Sequence, residues 1–218
     1  HTPWALFQTL EYMRSFLVGK MGWSTINAMP NVSGGYGLFD KKIVIAAGGY
    51  SSDSFAEDMD MIIRMVGYCC DFKRKYRIVQ IPANCCWTEV PATLTTLSRQ
   101  RIRWGRGLIQ TFMRHRRFIF NYKYRRLGMV TLPYVFIFEF IAPVIEFFGI
   151  LLFVCQAFTG AVNWRSALVI FLAIYTFCVI LGMVVILYDY TIGGTFRKAR
   201  SYMWIVLAAF LEPFLYHP

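Results

Sequence analysis

The chain has 218 residues, enough for one ordinary domain, yet 57% of them are hydrophobic and 18% aromatic, which exceeds what a soluble fold needs and implies a membrane class. A net charge of +11 raises nucleic acid as a partner, but the cations concentrate in Arg99–Arg126 and at Arg197-Lys198-Arg200, beside long apolar runs. That placement favours lipid phosphate or an anionic substrate and argues against nucleic acid.

The first residue is His1 and the last, Pro218, falls within an apolar run, so the chain reads as a piece cut at both ends, without the pattern of a signal peptide. From Thr2-Pro3 to Val18, apolar Trp4, Phe7, Leu10 and Leu17 alternate with Glu11 and Arg14, the pattern of an amphipathic helix that lies on a membrane or packs on a domain. Lys20 to Pro30, with Gly22 and Asn27, reads as a loop. Asn31 to Phe39 is β-like and carries Gly34, Gly35 and Gly37, where either a ligand or a second backbone approaches, or a sheet edge bulges. Asp40 is placed to cap a short helix through Ala47, which Gly48-Gly49 would end.

Ser54 and Glu57 fit a capping box, and Ile62, Met65, Val66 and Cys69 keep the spacing of a buried helical stripe. Glu57, Asp58 and Asp60 therefore crowd a helix start. The helix dipole favours carboxylates there, whereas a catalytic role needs one of them to face a cleft as a base. The six cysteines include the vicinal pairs Cys69-Cys70 and Cys85-Cys86; none has zinc-ligand spacing, and all read as reduced structural thiols. Arg77 to Pro82 and Asn84 to Val90 are predicted strands.

A helix beginning near Thr93 is expected to pack through Leu94, Leu97, Ile102, Ile109 and Phe112. Offset from that stripe, Gln100, Arg103 and Trp104 share a face at i, i+3 and i+4, bringing together an amide, a guanidinium and an indole. The face suits a ligand; equally, Arg99, Arg101, Arg103 and Arg106 suit anionic headgroups with Trp104 as interfacial anchor. Basic and aromatic residues interleave from Arg114 to Arg126, as in a helix lying in the headgroup plane. Apolar runs follow at 130–158, 167–188 and 202–218; the first two exceed the roughly 20 residues that span a bilayer. The positive-inside rule puts Arg99–Arg126 and Asp189–Ser201 in the cytoplasm. Glu139 and Glu146, two turns apart around Pro143, line a polar channel or sit partly among headgroups.

Glu57-Asp58 at a helix start, then Gln100-x-x-Arg103-Trp104, then membrane helices, resembles the membrane-embedded family-2 glycosyltransferases, among them the processive synthases of cellulose, hyaluronan and poly-N-acetylglucosamine. Ser33 to Phe39 is similar to that family's Ser-Gly-x-x-Gly segment, Gly48-Gly49-Tyr50 to its Gly-Gly-Tyr turn, and Trp87-Thr88-Glu89-Val90-Pro91 to the stretch before its last motif. The likeness runs along nearly the whole chain.

The resemblance implies an α/β plus membrane α-helical protein, with part of a GT-A-like (Rossmann-like) domain followed by interfacial and transmembrane helices. Residues 1–98 would be the acceptor-side half of a cytosolic catalytic domain, 99–129 the Gln-x-x-Arg-Trp helix and basic segment, and 130–218 the membrane helices. It implies a multi-pass enzyme of the cell's inner or plasma membrane, with a nucleotide-sugar donor, a UDP-sugar, a glycan or lipid-linked acceptor, and membrane lipids as partners. Asp58 would be the base in an inverting transfer, with Glu57, Ser33, Gly34, Gln100, Arg103 and Trp104 binding substrate and Trp104 stacking on the acceptor sugar. Ala56 stands where the family often has threonine. Mg2+ or Mn2+ is expected through an earlier half, since no Asp-x-Asp at a strand end precedes Ser33 and Asp58-Met59-Asp60 lies on a helix. The isolated chain is therefore expected to be inactive. The rivals are a non-processive transfer of one sugar to a lipid and a non-enzymatic transporter or scaffold.

Overall fold

The computed structural model describes residues 3–83, 86, 88–192, 194–196 and 199–216. Thr2, Asn84, Cys85 and Trp87 of the last predicted strand, the loop cations Arg197 and Lys198, and His217-Pro218 lie outside the described residues.

In chain order the helices are α1 (Pro3–Met13), α2 (Lys20–Thr25), α3 (Lys41–Ala46), α4 (Glu57–Asp71), α5 (Leu94–His115), α6 (Leu132–Val135), α7 (Ala142–Phe158), α8 (Trp164–Thr191) and α9 (Ala199–Leu215). A π-helical stretch, Arg14–Gly19, joins α1 to α2, so the helix continues into the region expected to be a loop. Two more π-helical stretches, Leu127–Thr131 and Phe136–Ile141, flank α6. A proline in a helix orphans the carbonyl four residues before it. For Pro133 and Pro143 those carbonyls belong to Met129 and Glu139, each inside a π-helical stretch that absorbs the misfit.

Local chemistry explains several boundaries. Asp40 caps α3 by accepting from the N–H groups of Lys42 and Ile43, and Gly48 and Gly49 end it with φ of 91° and 66°. Asn163 accepts from Ser166 N–H at the start of α8. The expected capping box at α4 does not form. Ala56, whose methyl cannot accept a hydrogen bond, stands at the N-cap, and the Ser54 hydroxyl accepts from Ala56 N–H in the turn before it.

No strand occurs among the described residues, so the sheet of an α/β fold is not seen in them. Ser33 to Tyr36 is a turn closed by Tyr36 N–H on the Ser33 carbonyl. The segment around Ile78 is extended but pairs with a side chain: Asn27 donates to the Tyr76 carbonyl at 3.1 Å and accepts from Ile78 N–H at 2.9 Å. An extended segment becomes a strand only when a neighbouring backbone takes these groups, and here an amide side chain takes them.

The chain forms two compact units. One comprises residues 22–79 and 98–147. Its core is α4 (Ile62, Ile63, Val66) against Phe112, Phe118 and Leu132. A Cβ on Gly67 would stand 3.0 Å from the ring of Phe118, so the glycine lets the ring pack closely on that turn of α4.

The other unit comprises residues 1–21, 80–97 and 148–218. There α1 packs on α8 and α9 through Leu10, Met13, Val185, Ile186 and Ile205. Arg14 pairs with Glu212 through both terminal nitrogens, and Tyr216 donates to Glu11 at 2.7 Å. Asp189 closes the turn between α8 and α9 by accepting from Thr195 N–H, its hydroxyl and Tyr202. Leu127–Phe158 and Trp164–Thr191 are long and apolar enough to cross a membrane; α9, at 17 residues, is shorter.

Candidate functional site

The acidic start of α4 meets the glycine turn. Gly34 N–H donates to Asp58 Oδ2 at 3.3 Å, and Met59 N–H to Asp58 Oδ1 at 2.8 Å. A Cβ on Gly34 would lie 3.3 Å from the Asp58 Cβ and 3.5 Å from a Glu57 carboxylate oxygen. The structure therefore brings Gly34, Glu57 and Asp58 into one place, with Ser33 next to them in the chain. Asp58 is half-buried and Glu57 exposed, so the pair opens to solvent from one side.

Helix α5 carries the other predicted residues, and of its expected apolar stripe Leu97 and Phe112 are buried. Leu94, Ile102 and Ile109 are exposed. Within the unit formed by residues 22–79 and 98–147, its contact with the segment from Asp53 to Asp60 runs instead through Gly107, Gln110, Arg114 and His115. A Cβ on Gly107 would stand 2.7 Å from the Ala56 Cβ and 3.0 Å from its backbone nitrogen. The Gln110 carboxamide accepts from Phe55 N–H at 2.9 Å and donates to the Asp53 carbonyl at 2.6 Å, using both of its ends on the chain that leads into α4.

Gln100, Gly107 and Arg114 are seven residues apart, so they lie within about 20° of one line along the helix. The Gln100–Arg103–Trp104 face thus runs along the line of Gly107 and Arg114 and is offset from the buried Leu97 and Phe112. Contacts run from Ala56 at Gly107 to Asp60 at His115, so going backwards along α5 leads out past the first residue of α4. At 1.5 Å per residue, Trp104 stands about 4.5 Å, Arg103 about 6 Å and Gln100 about 10.5 Å beyond the Gly107 contact. Arg103 is exposed and Trp104 39% exposed, with the Arg101 guanidinium 4.9 Å from the centre of the indole ring.

Asp60, two residues beyond Asp58, is fully buried. It accepts from Arg64 Nε at 2.8 Å, meets His115 Nε2 at 2.8 Å, and has Arg114 at 3.4 Å. Arg64 also donates to the carbonyls of Ala47 and Gly49, tying α4 to the turn after α3. Burial pushes the Asp60 carboxyl up, but the hydrogen bonds from His115 and Arg64 outweigh it and leave the group below the usual carboxylate range. Burial holds the His115 imidazole below its ordinary value despite the opposite pull of Asp60. Sequence reasoning counted Asp60 among dipole-favoured acids and passed over Gly107, Gln110, Arg64 and His115. The Asp60–Arg64 spacing of four was a readable signal; the contact across 55 residues to His115 was not.

Asp58-Met59-Asp60 is not a metal pair, since the Asp60 oxygens are taken by three cationic or hydrogen-bonding side chains. Among the described residues no three His, Cys, Asp or Glu side chains converge to hold a metal ion.

Residues 2–211 match the family model described as glycosyl transferase family group 2. The chain is 30% identical over 146 residues to poly-beta-1,6-N-acetyl-D-glucosamine synthase of Staphylococcus aureus (strain COL), covering 67% of this chain and 32% of that protein. It is 29% identical over 137 residues to the same-named synthase of Staphylococcus epidermidis, covering 63% and 30%. It thus spans about a third of the length of these relatives. No solved structure gives a significant match.

Proposed function

The chain belongs to glycosyltransferase family 2, and from that premise we propose that it is the acceptor-side part of an inverting, membrane-bound transferase in which Asp58 is the general base. In this reading the Asp58 carboxylate takes the proton of an acceptor hydroxyl as its oxygen attacks the anomeric carbon of a nucleotide sugar. The bond from that carbon to the diphosphate breaks on the opposite face, inverting the centre and releasing the nucleoside diphosphate. Arg103 offers a planar, permanently charged donor set to the leaving diphosphate, Gln100 a hydrogen-bonding amide, and Trp104 a flat apolar surface for the acceptor ring.

The observation that supports this reading is the seating of Gly107 on Ala56, which runs the Gln100–Trp104 end of α5 past the residue before Glu57 and Asp58, while the Asp58 carboxylate itself turns to Gly34. A base and an anion-and-sugar-binding face are the complementary parts of one transfer reaction. The rival scaffold gives no account of Glu57-Asp58, the glycine segment and the Gln100 face occurring together in one chain. Because the described residues of this chain do not fit a divalent metal, the Mg2+ or Mn2+ common in the family belongs to residues outside them, and no step here runs through it.

The donor we propose is a UDP-sugar, with N-acetylglucosamine first to test, given the names of the similar synthases. The acceptor is a growing glycan, and the helices Leu127–Phe158 and Trp164–Thr191 cross the membrane with the site on the cytoplasmic side. The decisive experiment is Asp58→Asn in the full-length enzyme. Turnover is expected to fall by about 10²–10⁴-fold with donor binding retained; turnover like the wild type would remove Asp58 as the base. Sizing the product separates polymer from a single transferred sugar.

A further inference from the structure

We infer that Asp60 and His115 are positioning residues for the transfer, fixing where Asp58 stands relative to the Gln100–Arg103–Trp104 face. The inference rests on the reading of Asp58 as base. Asp58 and Asp60 sit two residues apart on the first turn of α4, about 200° around the helix, so they face opposite ways. Asp58 faces the Gly34 turn and Asp60 faces the interior. A helix turn is stiff, and whatever sets the roll of α4 at Asp60 sets the direction of Asp58.

Two elements hold Asp60. His115, itself buried, comes from the last turn of α5 at 2.8 Å. Arg64 comes from α4 itself and carries the link onward to the Ala47 and Gly49 carbonyls. Arg114 reaches the same carboxylate at 3.4 Å and Ser51 at 3.0 Å. Apolar residues of equal volume would hold these helices together as well as buried charges do. The charged arrangement adds directionality: it is satisfied at one roll and one register of α4 on α5, while an apolar contact tolerates several. On α5 the clasp lies two turns from Gly107, so the helix is pinned at both ends of its contact, and the overhang carrying Gln100 to Trp104 inherits that register.

The test is kinetic, on the full-length enzyme in native-like membranes, with activity expressed per folded molecule. His115→Gln keeps an N–H donor where the imidazole Nε2 stands, and His115→Asn withdraws it toward the backbone. The asparagine variant is expected to lose about 30-fold in kcat with its donor KM changed by less than about twofold, and the glutamine variant to stay within about threefold of wild type, since a displacement near 1 Å costs about 10²-fold. Equal kcat in the two variants, or a loss confined to KM, overturns the inference. If His115→Asn is not recovered folded, Asp60→Asn, which keeps an acceptor for His115 but weakens the Arg64 pair, takes its place with the same criteria. Asp58→Asn runs alongside: an active Asp58→Asn rejects the base assignment, whereas an inactive Asp58→Asn with indifferent His115 variants rejects only the positioning role.

Discussion

Gly107→Ala is the sharpest probe of how α5 is seated. The added Cβ would stand 2.7 Å from the Ala56 Cβ, 3.0 Å from Ala56 N and 3.1 Å from the Phe55 carbonyl carbon. Those atoms are backbone or a methyl group, so no rotamer change relieves the contact. Carbon atoms rest at about 3.5–4.0 Å, so α5 must move off α4 by about 1 Å. Overpacking of this kind costs about 1–3 kcal/mol, and exchanging glycine for alanine inside a helix returns about 1 kcal/mol. The net loss, about 0–2 kcal/mol, leaves the protein folded. Activity is expected to respond more strongly, because a shift near 1 Å at the proposed substrate-binding face costs about 10²-fold in turnover. The control is Gly105→Ala, two residues away, where nothing lies within 4 Å and only the helix gain applies. Release of nucleoside diphosphate per folded full-length enzyme, with melting temperature on the same samples, reads both effects. If Gly107→Ala turns over within about threefold of Gly105→Ala, the seating argument is wrong.

Three further outcomes follow from the same geometry. Gly34→Ala brings a methyl group to 3.3 Å from the Asp58 Cβ, and turnover should fall about tenfold with melting temperature nearly unchanged; an unaffected rate would detach the glycine turn from the site. Phe118→Ala empties the centre of the core, where the ring is 1% exposed and meets Tyr124 at 4.3 Å, and should cost about 3–5 kcal/mol, read as a lowered melting temperature. Acid should loosen the unit in two steps. Below the ordinary imidazole value of 6.5 the unfolded chain takes a proton at His115 that the folded chain refuses, so stability falls as pH drops below 6.5 toward the lowered folded value. The stability contributed by Asp60 is present above 3.8 and is lost as pH falls through its lowered folded value. Melting curves from about pH 7.5 to about pH 5 should decline for the wild type and flatten in His115→Gln; identical slopes would show that His115 is not the titrating group.

Local signals were enough for α3, α4 and α5, since Asp40, Gly48-Gly49 and the stripe of Ile62, Val66 and Cys69 act within a turn or two of themselves. What failed was competition between local partners. Ser54 and Glu57 have capping-box spacing, but the hydroxyl was already engaged one residue short of the helix. Arg77 to Pro82 has strand character, but Asn27 reaches it from some 50 residues away. Arg-Trp-Gly-Arg-Gly held a clue left unread. Two glycines inside a helix cost about 1 kcal/mol each against alanine, and Gly107 is there because another backbone needs the space. The candidate site residues were legible as residue types at helical spacing; the contacts of Gly107, Gln110 and His115 were not, because they reach residues more than 50 positions earlier.

The seven-residue intervals from Gln100 through Gly107 to Arg114 carry a consequence for how such a helix can change over time. Anchor and reader are locked in phase along one rod, so length and orientation are separate variables. One residue inserted between Trp104 and Gly107 would leave the contacts of Gly107, Gln110, Arg114 and His115 intact and swing the Gln100–Trp104 face by about 100°. Seven residues inserted there would return the face almost to its starting direction but carry it about 10.5 Å further out. Drift in that interval should therefore be punctuated: a single insertion turns the Gln100–Trp104 face away, and a whole heptad restores its direction at a greater distance from the Gly107 anchor.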